Sequence, residues 1–153
     1  MKTSEITLSP IDNKEHVKLF WDSIKNEPAI DSMRFPDWVG EFIYDIYYKN
    51  NHAGFIAYSN WEGKCCLSCV YIFPEYRRSG IATAVIRKLL YTVKFDFFYG
   101  FVYKHNPAIS IYPKLGFKFL NKSCTGYTIT DYNNPDCFMT KDEFLEFGKE
   151  IKK

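Results

Sequence analysis

The stretch Val70-Tyr71-Ile72-Phe73-Pro74-Glu75-Tyr76-Arg77-Arg78-Ser79-Gly80-Ile81-Ala82 decides how this chain is read. Its apolar start is the end of a buried strand, Pro74 stops that strand, a tight polar turn follows, and a helix opens at Gly80. The first N–H groups of a helix have no intrahelical partner, and the positive end of the helix dipole sits at the same place. Glycine there lets a ligand come close to the backbone, so the pattern suits a phosphate-bearing ligand. The spacing Arg77-x-x-Gly80-x-Ala82 is not the dinucleotide fingerprint, and the Gly-Lys-Ser/Thr ending of a P-loop is absent.

The helix that follows, 80–93, is the clearest element. Ile81, Val85 and Leu89 form one row at four-residue spacing, Ala82, Ile86 and Leu90 form the next, and Arg87 and Lys88 fall outside this apolar face. Packing that face on a sheet would hold the helix N-terminus against the end of a 64–73 strand. The predicted order is strand 5–9, helix 14–26, short helix 36–43, strands 44–49, 53–60 and 64–73, helix 80–93, strand 96–104, helix 107–115, strands 116–122 and 136–140, and helix 141–151. Asn50-Asn51-His52 and Glu62-Gly63-Lys64 read as hairpin turns, which makes the middle strands antiparallel neighbours. Residues 123–135 read as a long loop or an extra strand.

With 153 residues the chain suits one domain with one core, and 46% apolar residues argue against extended disorder. The net charge of +2 comes from 20 basic and 18 acidic residues, interspersed without a basic stripe, so no nucleic acid is expected. No apolar run approaches the roughly 18 residues that span a bilayer, and the polar start Met1-Lys2-Thr3-Ser4-Glu5 is not a signal peptide. No membrane association is expected, and a cytoplasmic location is. Five cysteines, Cys65, Cys66, Cys69, Cys124 and Cys137, lack the paired spacing of a zinc site and read as small buried hydrophobes. Strand alternation places Cys65 and Cys69 on one face and Cys66 on the other.

The turn resembles the acyl-CoA pyrophosphate loop of the GNAT superfamily of N-acetyltransferases, whose pattern is Gln/Arg-x-x-Gly-x-Gly/Ala. A second stretch, Asn106-Pro107-Ala108-Ile109-Ser110-Ile111-Tyr112-Pro113-Lys114-Leu115-Gly116-Phe117, resembles the family's Asn-x-x-Ala-x-x-Leu-Tyr-x-x-Leu-Gly-Phe. Met139-Thr140-Lys141 looks like its closing strand. The resemblance implies an α/β (α+β) fold: a single GNAT-like acyl-CoA-binding domain over 1–153, with a central mixed, largely antiparallel sheet flanked by helices on both faces. It implies acetyl-CoA as the acetyl donor and a small-molecule, peptide or protein amine as the acceptor, and it leaves a homodimer open.

Carried onto this sequence, the family pattern puts the pyrophosphate on the backbone of Arg78, Ser79, Gly80, Ile81, Ala82 and Thr83, with Arg77 or Arg78 adding charge. Val70, Tyr71 and Ile72 would bind the pantetheine arm through their backbone, as an added strand does. One amide, that of Ile72, would polarise the thioester carbonyl. Tyr112 matches the general acid that protonates the CoA thiolate. Seven residues before it stands His105, where the family commonly has Asn, and Asn106 comes one residue later; either is placed to face CoA. Pro113 disfavours helical geometry at Tyr112, so the helix is expected to kink or stop there. No carboxylate qualifies as general base. His105 is the imidazole nearest the expected site, and a water chain to backbone carbonyls is the other route.

The acceptor would lie between 27–40 and 123–136, where Glu27, Asp31, Asp37, Asp131 and Asp136 outnumber Arg34 and suit a cationic amine. The first reading is an acetyl-CoA-dependent N-acetyltransferase. The alternative is a catalytically impaired CoA-binding or regulatory protein of the same fold.

Overall fold

The computed structural model describes residues 3–11, 13, 15, 16, 18, 22, 41–100, 110–119, 137–143, 145 and 146. Among them, seven strands form one sheet in the order β1-β2-β3-β4-β5-β7-β6. Strands β1 (Ile6–Pro10), β2 (Glu41–Tyr48), β3 (Asn51–Trp61) and β4 (Lys64–Ile72) form an antiparallel meander. Helix α1 (Ile81–Thr92) then crosses to β5 (Phe97–Gly100), which runs parallel to β4. After helix α2 (Ile111–Lys114), β6 (Lys118–Phe119) and β7 (Cys137–Thr140) complete the sheet, with β7 antiparallel to both β5 and β6. The sheet is mixed and largely antiparallel, as expected. No helix among the described residues is long and apolar enough to cross a membrane.

Both hairpins close through two-residue turns with positive φ at each position. Lys49 and Asn50 have φ of 49° and 67°, and Glu62 and Gly63 have 49° and 86°. This is the turn geometry whose twist matches that of the flanking strands. His52, expected in a turn, therefore belongs to β3, and β2 starts at Glu41 where a short helix over 36–43 was expected. Tyr44 and Ile46 point into the larger core layer and Ile43 into the smaller one on the other face, the two-sided alternation of a strand. Residues 36–40 lie outside the described part.

A bulge in β4 corrects the expected cysteine placement. Ala57 pairs with Cys69 but Tyr58 pairs with Leu67, so Ser68 is an extra residue and the alternation inverts across it. Cys65 and Leu67 enter the larger core layer, whereas Cys69 and Tyr71 enter the smaller one on the other face. Cys65 and Cys69 thus lie on opposite faces.

The larger layer holds the site together. Ile81, Ala84, Val85, Ile86, Leu89 and Leu90 of α1 are buried in it with Ile56, Cys65, Leu67 and Ile72 of the sheet. Ala82 is only partly buried, and Ala84 takes the place expected for it. Each fully buried Ile, Leu or Val contributes about 1.5–3 kcal/mol, so this face fixes α1 firmly on β4. Tyr112, Leu115 and Phe117 belong to the same layer, packed through Phe98. On the other face the helical residue His16 reaches Asp45 of β2.

Candidate acyl-CoA site

Among the described residues, the backbone at the end of β4 turns alternately toward β3 and away from it. The Phe73 amide donates to the Ala53 carbonyl at 2.8 Å, so the backbone of Phe73, and by alternation that of Tyr71, turns toward β3. Val70 and Ile72 turn their amides and carbonyls toward the opposite edge. Gly54 allows β3 to come this close: a Cβ there would stand 2.0 Å from the Tyr71 carbonyl oxygen. Below the strand end, His52 Nε2 meets Asp45 Oδ1 at 2.9 Å, and its ring sits edge-on to Phe73 with centroids 5.0 Å apart. His16 Nε2 lies 3.6 Å from the other Asp45 oxygen, so one buried carboxylate ties together β2, β3 and the chain at residue 16. Sequence reasoning passed over this link, although an acid at an inward position of β2 is a signal that it needs a partner.

Pro74 starts a single 3-10 turn, Pro74–Tyr76, closed by Tyr76 N–H to the Phe73 carbonyl (2.9 Å) and Arg77 N–H to the Pro74 carbonyl (3.2 Å). The Ser79 hydroxyl then donates back to the Tyr76 carbonyl. Arg78 (φ 62°) and Gly80 (φ 85°) both take the left-handed conformation, which turns the chain sharply into α1. The Ala84 amide makes the first intrahelical bond, to the Gly80 carbonyl at 3.0 Å. The amides of Ile81, Ala82 and Thr83 precede it and have no acceptor within the helix. Gly80 provides no side-chain cap, and no acid stands in the first turn to neutralise the dipole. Arg77, Arg78, Ser79 and Gly80 are exposed, while Ile81 is 1% exposed and anchors the turn. Concentrated N–H donors, an uncompensated positive dipole and exposed arginines form a place where a phosphate fits.

The two arginines differ in backbone and contacts. Arg78 carries its charge at the apex of the turn. Arg77 folds back: its Nε donates to the Ile72 carbonyl at 2.8 Å, and its Cζ lies 5.3 Å from the centroid of the Tyr71 ring.

Tyr112 is 8% exposed and lies in the same core layer as Ile72 and Ile81. It is held by the way α2 ends. Phe117 N–H bonds to the Tyr112 carbonyl (3.1 Å), Gly116 N–H bonds to the Pro113 carbonyl (3.1 Å), and Gly116 has φ 92°. These are the two bonds of a Schellman cap, and the accompanying apolar contact is the edge-on packing of Tyr112 on Phe117 at 5.4 Å. Tyr112 and Pro113 both lie inside the helix, against the expectation that Pro113 disfavours helical geometry at Tyr112. The reason is that a proline in the first turn has no intrahelical donor to lose; the helix stops at Lys114. The Leu-Gly-Phe signature is therefore a helix terminator that fixes the tyrosine ring. His105 and Asn106 lie outside the described residues, as do 27–40 and 123–136.

Cys65, Cys66 and Cys69 are buried thiols. Burial pushes the Cys65 thiol up to about 12, with the neighbouring Cys66 adding to the shift, which makes it a neutral packing group. Burial also raises Tyr58, assisted by its hydrogen bond to Tyr44.

Several solved structures share this architecture. A chimera of the spermidine N-acetyltransferase SpeG from Vibrio cholerae and hSSAT superposes with a TM-score of 0.66 at 15% identity, covering 92% of this chain and 98% of its own. A GNAT-family acetyltransferase from Staphylococcus aureus gives 0.65 at 16% identity, with 89% and 99% covered. An acetyltransferase from Thermus thermophilus gives 0.61 at 14% identity, with 90% and 97% covered. At these identities the likeness is one of fold. No curated protein matches the sequence significantly. Residues 12–117, spanning the loop, α1 and the Leu-Gly-Phe helix end, match the acetyltransferase (GNAT) family, and the chain belongs to that family.

Proposed function

We propose that the protein is an acetyl-CoA-dependent N-acetyltransferase acting on a primary amine, with residues 1–153 forming one acyl-CoA-binding domain. The observation that carries this reading is the open start of α1 at Gly80, with three amides free of intrahelical partners and no acid in the first turn. These amides hold the pyrophosphate, and Arg78 adds charge at the turn. Val70 and Ile72, whose backbones face away from β3, align the pantetheine arm, and the Ile72 amide donates to the thioester oxygen as it gains negative charge. CoA supplies the acetyl group as a thioester; the acceptor nitrogen forms the new C–N bond, and the C–S bond breaks. The Tyr112 hydroxyl gives its proton to the departing sulfur, and the proton lost by the amine passes to His105 or to water. Asn106 is assigned to CoA binding from its place in the family motif alone.

A thiol-release assay over a panel of amines tests the reaction, with spermidine included because one of the similar structures is named for it. Turnover with at least one amine is the expected result. Acetyl-CoA binding without turnover on any amine would favour the CoA-binding or regulatory alternative. Within an active protein, Tyr112→Phe removes only the hydroxyl and keeps the packing on Phe117. We expect kcat to fall on the order of 10²–10⁴-fold with acetyl-CoA affinity little changed. An unchanged kcat in a stable mutant would remove Tyr112 from the role of acid.

A further inference from the structure

We infer that Arg77 is a positioning residue that acts through the Ile72 carbonyl, and that the charge offered to the CoA phosphates comes from Arg78 instead. The inference rests on the acyl-CoA reading of the loop and assigns the two adjacent arginines separate roles in it.

The guanidinium of Arg77 commits its Nε to the Ile72 carbonyl at 2.8 Å. That carbonyl is on the edge of β4 turned away from β3, the same edge that carries the Ile72 amide. The bond closes a ring from the last residue of β4, through the Pro74–Tyr76 turn, back to Ile72. The guanidinium also rests over the face of Tyr71, 5.3 Å from its centroid. Tyr71 is itself wedged between Phe55 and Phe73, with centroids at 5.7 and 5.9 Å. A side chain placed in this way has its Nε and the face of its guanidinium engaged by the strand. Its effect is to fix where the Ile72 peptide points relative to the loop that follows. A strand end free to pivot would misalign the pantetheine contacts with the phosphate contacts, and a ligand that needs both would bind less well.

Side-chain length separates this role from a charge role. Gln carries its amide nitrogen the same number of bonds from Cα as the Nε of Arg, so Arg77→Gln keeps a donor for the Ile72 carbonyl and loses the charge. Arg77→Lys keeps the charge but moves the donor one atom farther out and removes the planar group over Tyr71. Arg77→Met keeps neither donor nor charge. Affinity for acetyl-CoA, measured by calorimetry on the full chain, ranks the three, with melting temperatures checking the fold.

We expect Gln to bind within about twofold of wild type, and Lys and Met to bind about 3–10-fold more weakly, the size of one lost hydrogen bond partly expressed in binding. Wild-type affinity in Lys with loss in Gln would mean that charge is what counts and would overturn the inference. So would equal losses in Gln and Met, or wild-type affinity in all three. Each of those results leaves the acyl-CoA reading standing. A wild-type protein that binds no acetyl-CoA would overturn that reading, and this inference with it.

Discussion

Two helices in this molecule begin in opposite ways. The C-terminal helical segment starts at Thr140, and its end is closed by the chain itself. The Thr140 amide donates to Glu143 Oε1 and the Glu143 amide donates to Thr140 Oγ1, both at 3.2 Å. This reciprocal pair is a capping box, which satisfies two orphan donors and places a carboxylate near the positive end of the dipole. Helix α1 starts at Gly80 with no side-chain cap and no acid in its first turn. A glycine at a helix start costs only a few tenths of a kcal/mol against Ser, Thr, Asn or Asp, so the fold tolerates the open end and leaves its donors to be completed from outside. The open end makes physical sense if an external anion completes it. The same chain contains the means of closing a helix start and does not use them at Gly80.

The largest effect should come from filling the open end. Gly80→Glu adds a side chain and a negative charge where the pyrophosphate would lie, and we expect calorimetry to find no measurable acetyl-CoA binding by the folded mutant. Gly80 has φ 85°, so any side chain there is strained, and Gly80→Asn serves as the control because Asn tolerates this conformation. Asn should weaken binding far less than Glu. Wild-type affinity in folded Gly80→Glu would remove the loop as the site and end the contrast between the two helix starts.

Much of this contrast was legible in the sequence, because the signals were local. Pro74, Gly80 and the two apolar rows of α1 each act within a turn of chain, and the structure follows them to within a residue at Ile81–Thr92. The end of α2 at Lys114 also falls within a residue of the expected 115. What failed to show depended on partners distant in sequence. Nothing near Ser68 announces a bulge, since the extra residue is defined only by pairing with β3, and so Cys65 and Cys69 were given the same face. His52 was read as turn because Lys49, at φ 49°, lacks the Asn or Gly usual in such a turn. The strand at Glu41 was missed because its pairing with Ser59 of β3, not its own residues, extends it that far. The bond of Arg77 to Ile72 was likewise invisible, because it depends on how the turn folds back. The candidate site was thus readable as a backbone pattern and less so as side-chain geometry.

Opening the closed end should have a smaller effect, on stability alone. Thr140→Ala removes the acceptor for the Glu143 amide, and we expect a loss of about 1 kcal/mol, or about 3 °C in melting temperature. Acetyl-CoA affinity should not change, because this cap belongs to a different helix from the proposed phosphate site. A mutant that lost affinity as well as stability would show that the two ends are coupled, and the contrast between a structural and a functional helix start would be too simple.

The smallest effect concerns pH, and it separates the helix ends from the core beneath them. Cys65 lies in the same buried layer as Ile81 and Leu89, and its thiol is raised by burial from 9.0 to about 12. A folded-state value above the unfolded one stabilises the fold fully below the unfolded value. That stabilisation is lost as pH rises, because the unfolded chain ionises first. Stability should therefore fall from pH 9 toward 12, by less than about 1 kcal/mol between pH 8 and 9.5, and the raised Tyr58 adds to the fall at the upper end. Urea denaturation of wild type and Cys65→Ala at the two pH values isolates the thiol: the mutant starts less stable but should lose less on going to the higher pH. The amides at the start of α1 do not titrate in this range, so the loop's contribution to acetyl-CoA binding should stay level while stability declines. A slope identical in wild type and mutant would mean that Cys65 ionises as easily in the folded protein as in the unfolded chain. The packing of α1 over β4 would then be looser than the buried layer indicates, and with it the support that holds the open helix start in place.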